Sequence, residues 1–148
     1  MNQKNKNIRI GVYGLLILEN KILMIKKSRG PYKGKYDLPG GKIEERESLE
    51  TALKREFIEE TGLEIEIKDF IANSEVDEHY KNDSGEDREI YLIGSYYFVN
   101  IKSGEIKETP DGQDSLGAIF VDLNEIKKEN TSRLSFEIIE KYAETKKD

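Results

Sequence analysis

Six chain breakers crowd into residues 30–41: Gly30, Pro31, Gly34, Pro39, Gly40 and Gly41. Proline lacks an amide donor and glycine loses the most backbone entropy on ordering, so neither a helix nor a strand can run through such a segment. It divides the chain into parts that must be read separately. Before it, residues 8–25 hold two apolar, β-rich runs, IRIGVYGLLIL and KILMIKK, with Glu19-Asn20-Lys21 predicted as a hairpin turn between them. After it, a helix is expected over residues 48–60, stopped by Gly62. Residues 64–76 and 89–101 read as strands joined by the polar segment HYKNDSGED, and residues 117–123 as a further short strand. Residues 132–145 close the chain as an amphipathic helix, with Leu134, Ile138, Ile139 and Tyr142 on one face. The order strands, loop, helix, strands, helix predicts an α/β fold with a mixed sheet covered by helices, not a doubly wound parallel sheet. A length of 148 residues suits one domain spanning 1–148.

Charge and composition exclude several roles. A net charge of -6 disfavours polymeric nucleic acid as a partner, because a phosphate backbone is held by clustered Lys and Arg. The longest apolar stretches, residues 15–18 and 90–93, fall far short of the ~18 residues that span a bilayer, so no membrane partner is expected. The N-terminal MNQKNKNIRI has no apolar signal core, and the cytoplasm is the expected compartment. No cysteine is present, which removes disulfides and thiolate metal sites. Oligomeric state is not written in these features.

The helix over residues 48–60 carries an anomaly. Leu49, Ala52, Leu53 and Phe57 recur at helical spacing and define its buried stripe. At about 100° per residue, Glu56 and Glu60 fall on the same side as Leu49 and Leu53, and Glu59 lies about 60° from Glu56. Carboxylates therefore extend the core-facing stripe. On a solvated face like charges repel by only ~0.2–0.5 kcal/mol per pair. In a partly buried site, at ~6 Å and an effective dielectric near 20, each pair would repel by about 3 kcal/mol. A hard divalent cation removes that repulsion and prefers oxygen ligands, so the stripe is a candidate site for Mg²⁺ or Mn²⁺. Such ions would also let an acidic protein accept an anionic substrate.

The segment GKIEERESLETALKREFIEETGL, residues 41–63, resembles the Nudix box. That motif is Gly, five residues, Glu, seven residues, Arg-Glu, a hydrophobic residue, any residue, Glu-Glu, any residue, Gly and a hydrophobic residue. Gly41, Glu47, Arg55, Glu56, Glu59, Glu60, Gly62 and Leu63 fill it, and Phe57 stands where an aliphatic side chain is more usual. The preceding Leu38-Pro39-Gly40 and the strand order extend the likeness over most of the chain. The resemblance implies an α/β/α sandwich and metal-dependent hydrolysis of a diphosphate linkage in a nucleotide. It further implies that Glu56, Glu59, Glu60 and the Gly40 carbonyl bind metal, that Glu56 is the general base, and that Arg55, paired with Glu47, orients the glutamates. The expected reaction splits a nucleoside triphosphate into monophosphate and pyrophosphate. Alternatives are dinucleoside polyphosphate hydrolysis and a non-catalytic nucleotide sensor, which a damaged box or an attached DNA-binding segment would mark.

Outside the box the candidates are individual residues. Lys26, Lys27, Arg29, Lys33 and Lys35 form a basic cluster that could hold substrate phosphates, Lys27 and Arg29 foremost, or could simply be solvated. Asp114, in TPDGQDS, is a candidate further metal ligand ahead of Asp111, with Glu86 and Asp87 as rivals, although aspartate is also a natural turn residue. His79 is expected to be exposed in the polar turn rather than catalytic. Tyr80 beside it is a candidate substrate contact, because in some diadenosine polyphosphate hydrolases of the superfamily a tyrosine lies at about this distance beyond the box. No proline occupies the downstream segment where relatives cleaving ADP-ribose often carry one, which argues against sugar nucleotides.

Overall fold

The computed structural model describes residues 7–107 and 115–146. The first apolar run does not stay in one sheet. Strand β1 (Ile8–Leu15) is followed by β2 (Ile17–Leu18), which turns through Glu19 and Asn20 into β3 (Lys21–Lys27). Both turn residues have positive φ, 49° and 66°, as the tight two-residue turn that matches strand twist requires. Strands β4 (Tyr36–Asp37) and β5 (Gly40–Lys42) flank Pro39, and α1 (Leu49–Thr61) follows. The long strands β6 (Leu63–Lys81) and β7 (Asp87–Gly104), then β8 (Ser115–Asp122) and α2 (Arg133–Tyr142), complete the chain.

One sheet has the order β5-β1-β7-β6, with β1 parallel to β7 and antiparallel to β5. This is the mixed sheet flanked by helices. A second sheet, wholly antiparallel, sets β2, β4 and β8 against β3. Its separateness was hidden in the sequence, because Leu15, Leu16 and Ile17 are all buried where the chain passes from one sheet to the other. A run without alternation carries no mark of which face is which.

The helices cover opposite faces. Ala52, Leu53 and Phe57 of α1 pack with Val12, Leu23, Ile25 and Ala118. Leu134, Ile138 and Ile139 of α2 pack with Leu15, Ile22, Met24 and Tyr96. Strand β3 alternates between the two clusters, so it is buried on both sides. The unusual Phe57 is accommodated by Gly14, where an added Cβ would lie 2.7 Å from the phenyl ring.

Strands β6 and β7 reach further than the sequence pattern indicated. The turn is confined to residues 82–86, where Asn82 Oδ1 accepts from the amides of Ser84 at 3.0 Å and Glu86 at 2.9 Å. His79 and Tyr80 therefore lie in β6 and not in a turn. The tip of this hairpin stands in water, so polar residues alternate toward it without ending the strands. Its register sets Val76 opposite Leu92, Glu78 opposite Ile90 and Tyr80 opposite Arg88.

Candidate active site

Helix α1 is fixed at both ends, which fixes the phase of its glutamates. Ser48 Oγ accepts the Thr51 amide at 3.1 Å. Gly62, at φ 80°, ends the helix by donating to the Ile58 carbonyl at 3.0 Å. The buried stripe continues into Glu60, only 3% exposed, whose Oε1 accepts the Gly40 amide at 2.8 Å. A carboxylate so placed needs a donor, and the backbone of β5 supplies one. The Glu56 side chain is 16% exposed and that of Glu59 46%.

Arg55 ties these groups together. Its Nε and Nη2 donate to both oxygens of Glu47 at 2.7 and 2.8 Å, a bidentate pair. Its Nη1 reaches Glu56 Oε1 at 2.9 Å and Glu59 Oε2 at 3.4 Å, and Nη2 also donates to the Lys42 carbonyl at 3.2 Å. The Arg55 hydrogen bonds, with help from the Glu44 amide, hold the Glu47 carboxyl down to about 2. In return Glu47 above all, and then Glu56, raise the guanidinium pKa. Lysine could not make these contacts in one plane.

The turn before the helix presses against its acidic face. At Gly40, φ is 141° and a Cβ would sit 2.1 Å from the Val12 carbonyl oxygen. At Gly41 a Cβ would sit 2.7 Å from the Glu56 carboxyl carbon. A small cavity of about 170 Å³ is lined by Glu56, Gly40 and Gly41 together with Arg9, Lys27 and Asp37. It adjoins a larger cleft of about 430 Å³, since Arg9, Tyr13, Lys27 and Asp37 line both. Carboxylate chemistry and two cations thus meet at the end of a space large enough for a small ligand.

A model of the NUDIX domain matches residues 7–142. The chain belongs to the NUDIX domain family. It is 34% identical over 119 residues, 80% of its length, to an ADP-ribose pyrophosphatase of Methanocaldococcus jannaschii, and spans 64% of that protein. Over 55 residues, 36% of the chain and 42% of the relative, it is 44% identical to an 8-oxo-dGTP diphosphatase of Buchnera aphidicola. The chain thus spans less than two thirds of both curated relatives. A crystal structure of a MutT NUDIX hydrolase from Burkholderia pseudomallei superposes with a TM-score of 0.68 at 26% identity, covering 93% of this chain and 99% of that one.

Within this Nudix chain the box residues come together around Arg55, and Lys27, Arg29 and Tyr80 line the cleft. The other members of the basic cluster do not. Lys26 lies over the Tyr36 ring at 5.6 Å and Lys33 pairs with Asp83 at 3.3 Å. Glu86 and Asp87 are engaged at the hairpin tip by Arg88 at 3.2 Å and Lys81 at 2.8 Å. His79 is exposed between Asp77 and Glu89. Asp111 and Asp114 lie outside the described residues. Among the described residues no three acidic or histidine side chains are gathered into a cage for a metal. Glu60 faces Gly40, Glu56 faces Gly41 and Arg55, and Glu59 faces outward. Sequence reading missed Arg9, Asp37 and Glu78. Arg9 had a signal: it shares the phase of Tyr13 and Leu15 in an otherwise apolar strand, and so points to the inner face.

Proposed function

We propose that the chain hydrolyses a phosphoric anhydride bond of a nucleotide, with water attacking phosphorus. The new P–O bond forms as the bridging P–O bond breaks, the departing phosphate keeps the electron pair, and the water proton passes to Glu56. What supports this most is the small cavity in which the Glu56 carboxylate meets Gly40, Gly41, Arg9 and Lys27. Arg9 and Lys27, which line that cavity, would hold phosphate oxygens, while Arg55 holds Glu56 and Glu59 and Glu60 holds the Gly40 peptide.

The donors available, three carboxylates and the Gly40 carbonyl, are of the kind that hard divalent cations choose. Glu56, Glu59, Glu60 and Gly40 would hold Mg²⁺ or Mn²⁺, with Asp114 the further candidate. Such an ion, when bound, neutralises phosphate charge and acidifies water. A nucleoside triphosphate is the first substrate class, giving monophosphate and pyrophosphate. A nucleoside diphosphate sugar is the second, favoured by the 34% identity to an ADP-ribose pyrophosphatase over 80% of the chain.

The test is a turnover screen of triphosphates, ADP-ribose and dinucleoside polyphosphates with each metal, with products resolved as pyrophosphate, sugar phosphate or inorganic phosphate. Glu56→Gln should lower the best rate by about a hundredfold or more, the usual range for a lost general base. No turnover of any nucleotide with either metal would overturn the hydrolase reading.

A further inference from the structure

Two walls of the large cleft come from distant parts of the chain. One is loop 28–35, between β3 and β4. The other is the far end of the β6–β7 hairpin, from which Glu78, Tyr80 and Asp83 face Tyr32 of the loop across the cleft. The loop is pinned at its base, where the Lys27 amide donates to the Lys35 carbonyl at 2.9 Å and the Gly34 amide to the Lys27 carbonyl at 2.8 Å. Gly30 and Gly34 have positive φ, 89° and 83°, and a Cβ at either would meet nothing within 4 Å. Glycine stands there for its backbone freedom and not for want of room. Rotation at those two points moves Pro31, Tyr32 and Lys33 and leaves Lys27 on β3.

The hairpin has little support at this end. Pairing with β1 stops at Ile8 opposite Tyr91, and beyond it residues 78–81 pair only with residues 87–90 among the described residues. A two-stranded ribbon is marginally stable by itself, so what touches it decides where it sits. Adjacent loop residues touch it. The Tyr32 hydroxyl meets Glu78, and burial above all, then the hydrogen bond to that carboxylate, raises its pKa. Glu78 is also held from α2 by Arg133 at 3.3 Å. One residue further along, Lys33 pairs with Asp83 at 3.3 Å, with both side chains exposed, 57% and 80%. An exposed pair contributes little and weakens in salt, so it can open and re-form. Tyr32, Glu78 and Asp83 line the large cleft but not the small cavity that holds Glu56.

Resting on the nucleotide reading above, we propose that loop 28–35 is a strap that closes the cleft against the hairpin tip, over the part of the ligand remote from Glu56. Tyr32 with Glu78 is its inner catch, and Lys33 with Asp83 its outer one. Ligand enters and leaves when both catches are open.

Amide exchange of the whole chain without ligand reads the opening. The Lys33 amide donates to the Gly30 carbonyl at 3.3 Å and the Lys35 amide to the Tyr32 carbonyl at 2.9 Å, and swinging the strap breaks both. Lys33→Asp and Asp83→Lys should each speed their exchange about two- to fivefold, the range for an exposed ion pair, and both reversals in one chain should restore the wild-type rate. Tyr32→Phe keeps the ring and should speed it about tenfold or more, as for a lost hydrogen bond to a charged group. Exchange unchanged by the reversals or by Tyr32→Phe overturns the proposal, as does a double reversal that fails to restore it. The chain has no cysteine, so Lys33→Cys with Asp83→Cys provides two thiols that a short cleavable linker can join. A fluorescent ADP with Mg²⁺ should then bind about tenfold more slowly to the linked chain than after the linker is cut, as for entry gated by a lid. Equal rates overturn the proposal. No ADP binding to the unlinked chain would count against the nucleotide reading, while the exchange rates, measured without ligand, would still decide the strap.

Discussion

At the scale of single residues, the box glutamates divide by what each touches. Glu60 accepts a buried backbone amide, so Glu60→Ala should strand the Gly40 N–H and destabilise by about 1–3 kcal/mol in urea unfolding. Glu60→Gln keeps an acceptor oxygen and should lose less, and equal losses would mean the hydrogen bond is not what matters. Glu47 works through Arg55, and its effect has a pH signature. Its carboxyl is lowered from 4.5 to about 2, so the folded state favours the ionised form. That contribution is complete above 4.5, declines as pH falls, and is gone once both states are protonated below about 2. The stability difference between wild type and Glu47→Gln should therefore shrink as pH drops through that window. A difference constant from pH 6 to 2 would show that Arg55 does not hold this carboxylate.

At the scale of elements, the packing of α1 on β1 explains the one soft position of the box. Gly14 leaves room for Phe57, so Gly14→Ala should overpack the contact and destabilise by about 1–3 kcal/mol. Combining it with Phe57→Leu should cost less than the sum of the single changes, a coupling that a double-mutant cycle of unfolding free energies measures. Additive values would place the strain elsewhere. The turn glycines should separate stability from chemistry. Gly40→Ala meets backbone at 2.1 Å and should lower the melting temperature, whereas Gly41→Ala first meets the Glu56 carboxylate, the end of a flexible side chain, and should spare the fold. Its rate should fall about a hundredfold, as for a misplaced reacting group. Helix α1 and its stop Gly62 were legible in the sequence because local chemistry sets them. The pairing of β1 with β7, in which Gly11 meets Gly94, was not, because parallel partners leave no local turn signal. The same reason hid Asp37 and Glu78, which only tertiary structure brings to one cleft. Arg55 with Glu47 was legible because both sit within the box spacing.

At the scale of the whole molecule, the question is how a chain of net charge -6 accepts an anion. Arg9 and Lys27 supply local positive charge, but they stand beside Glu56 and Asp37 in the same small cavity. A divalent cation would resolve the conflict, and stability offers a way to detect it that does not depend on turnover. A ligand that binds only the folded state stabilises it by RT ln(1 + [L]/Kd), about 2.7 kcal/mol at a hundredfold excess over Kd. For a chain of this length that is roughly 5–10 °C in melting temperature. Glu59 is the residue to change, because its side chain is 46% exposed and its contact with Arg55 is a long one at 3.4 Å. In chelator, Glu59→Gln should match wild type within about 0.5 kcal/mol, the usual range for a surface substitution. With Mg²⁺ or Mn²⁺ the wild type should rise and the variant should rise less, while hydrolysis by the variant falls. Four melting curves decide the matter. An equal rise in both proteins removes Glu59 from the metal site, and a wild type that neither rises with metal nor loses activity in chelator removes the site altogether.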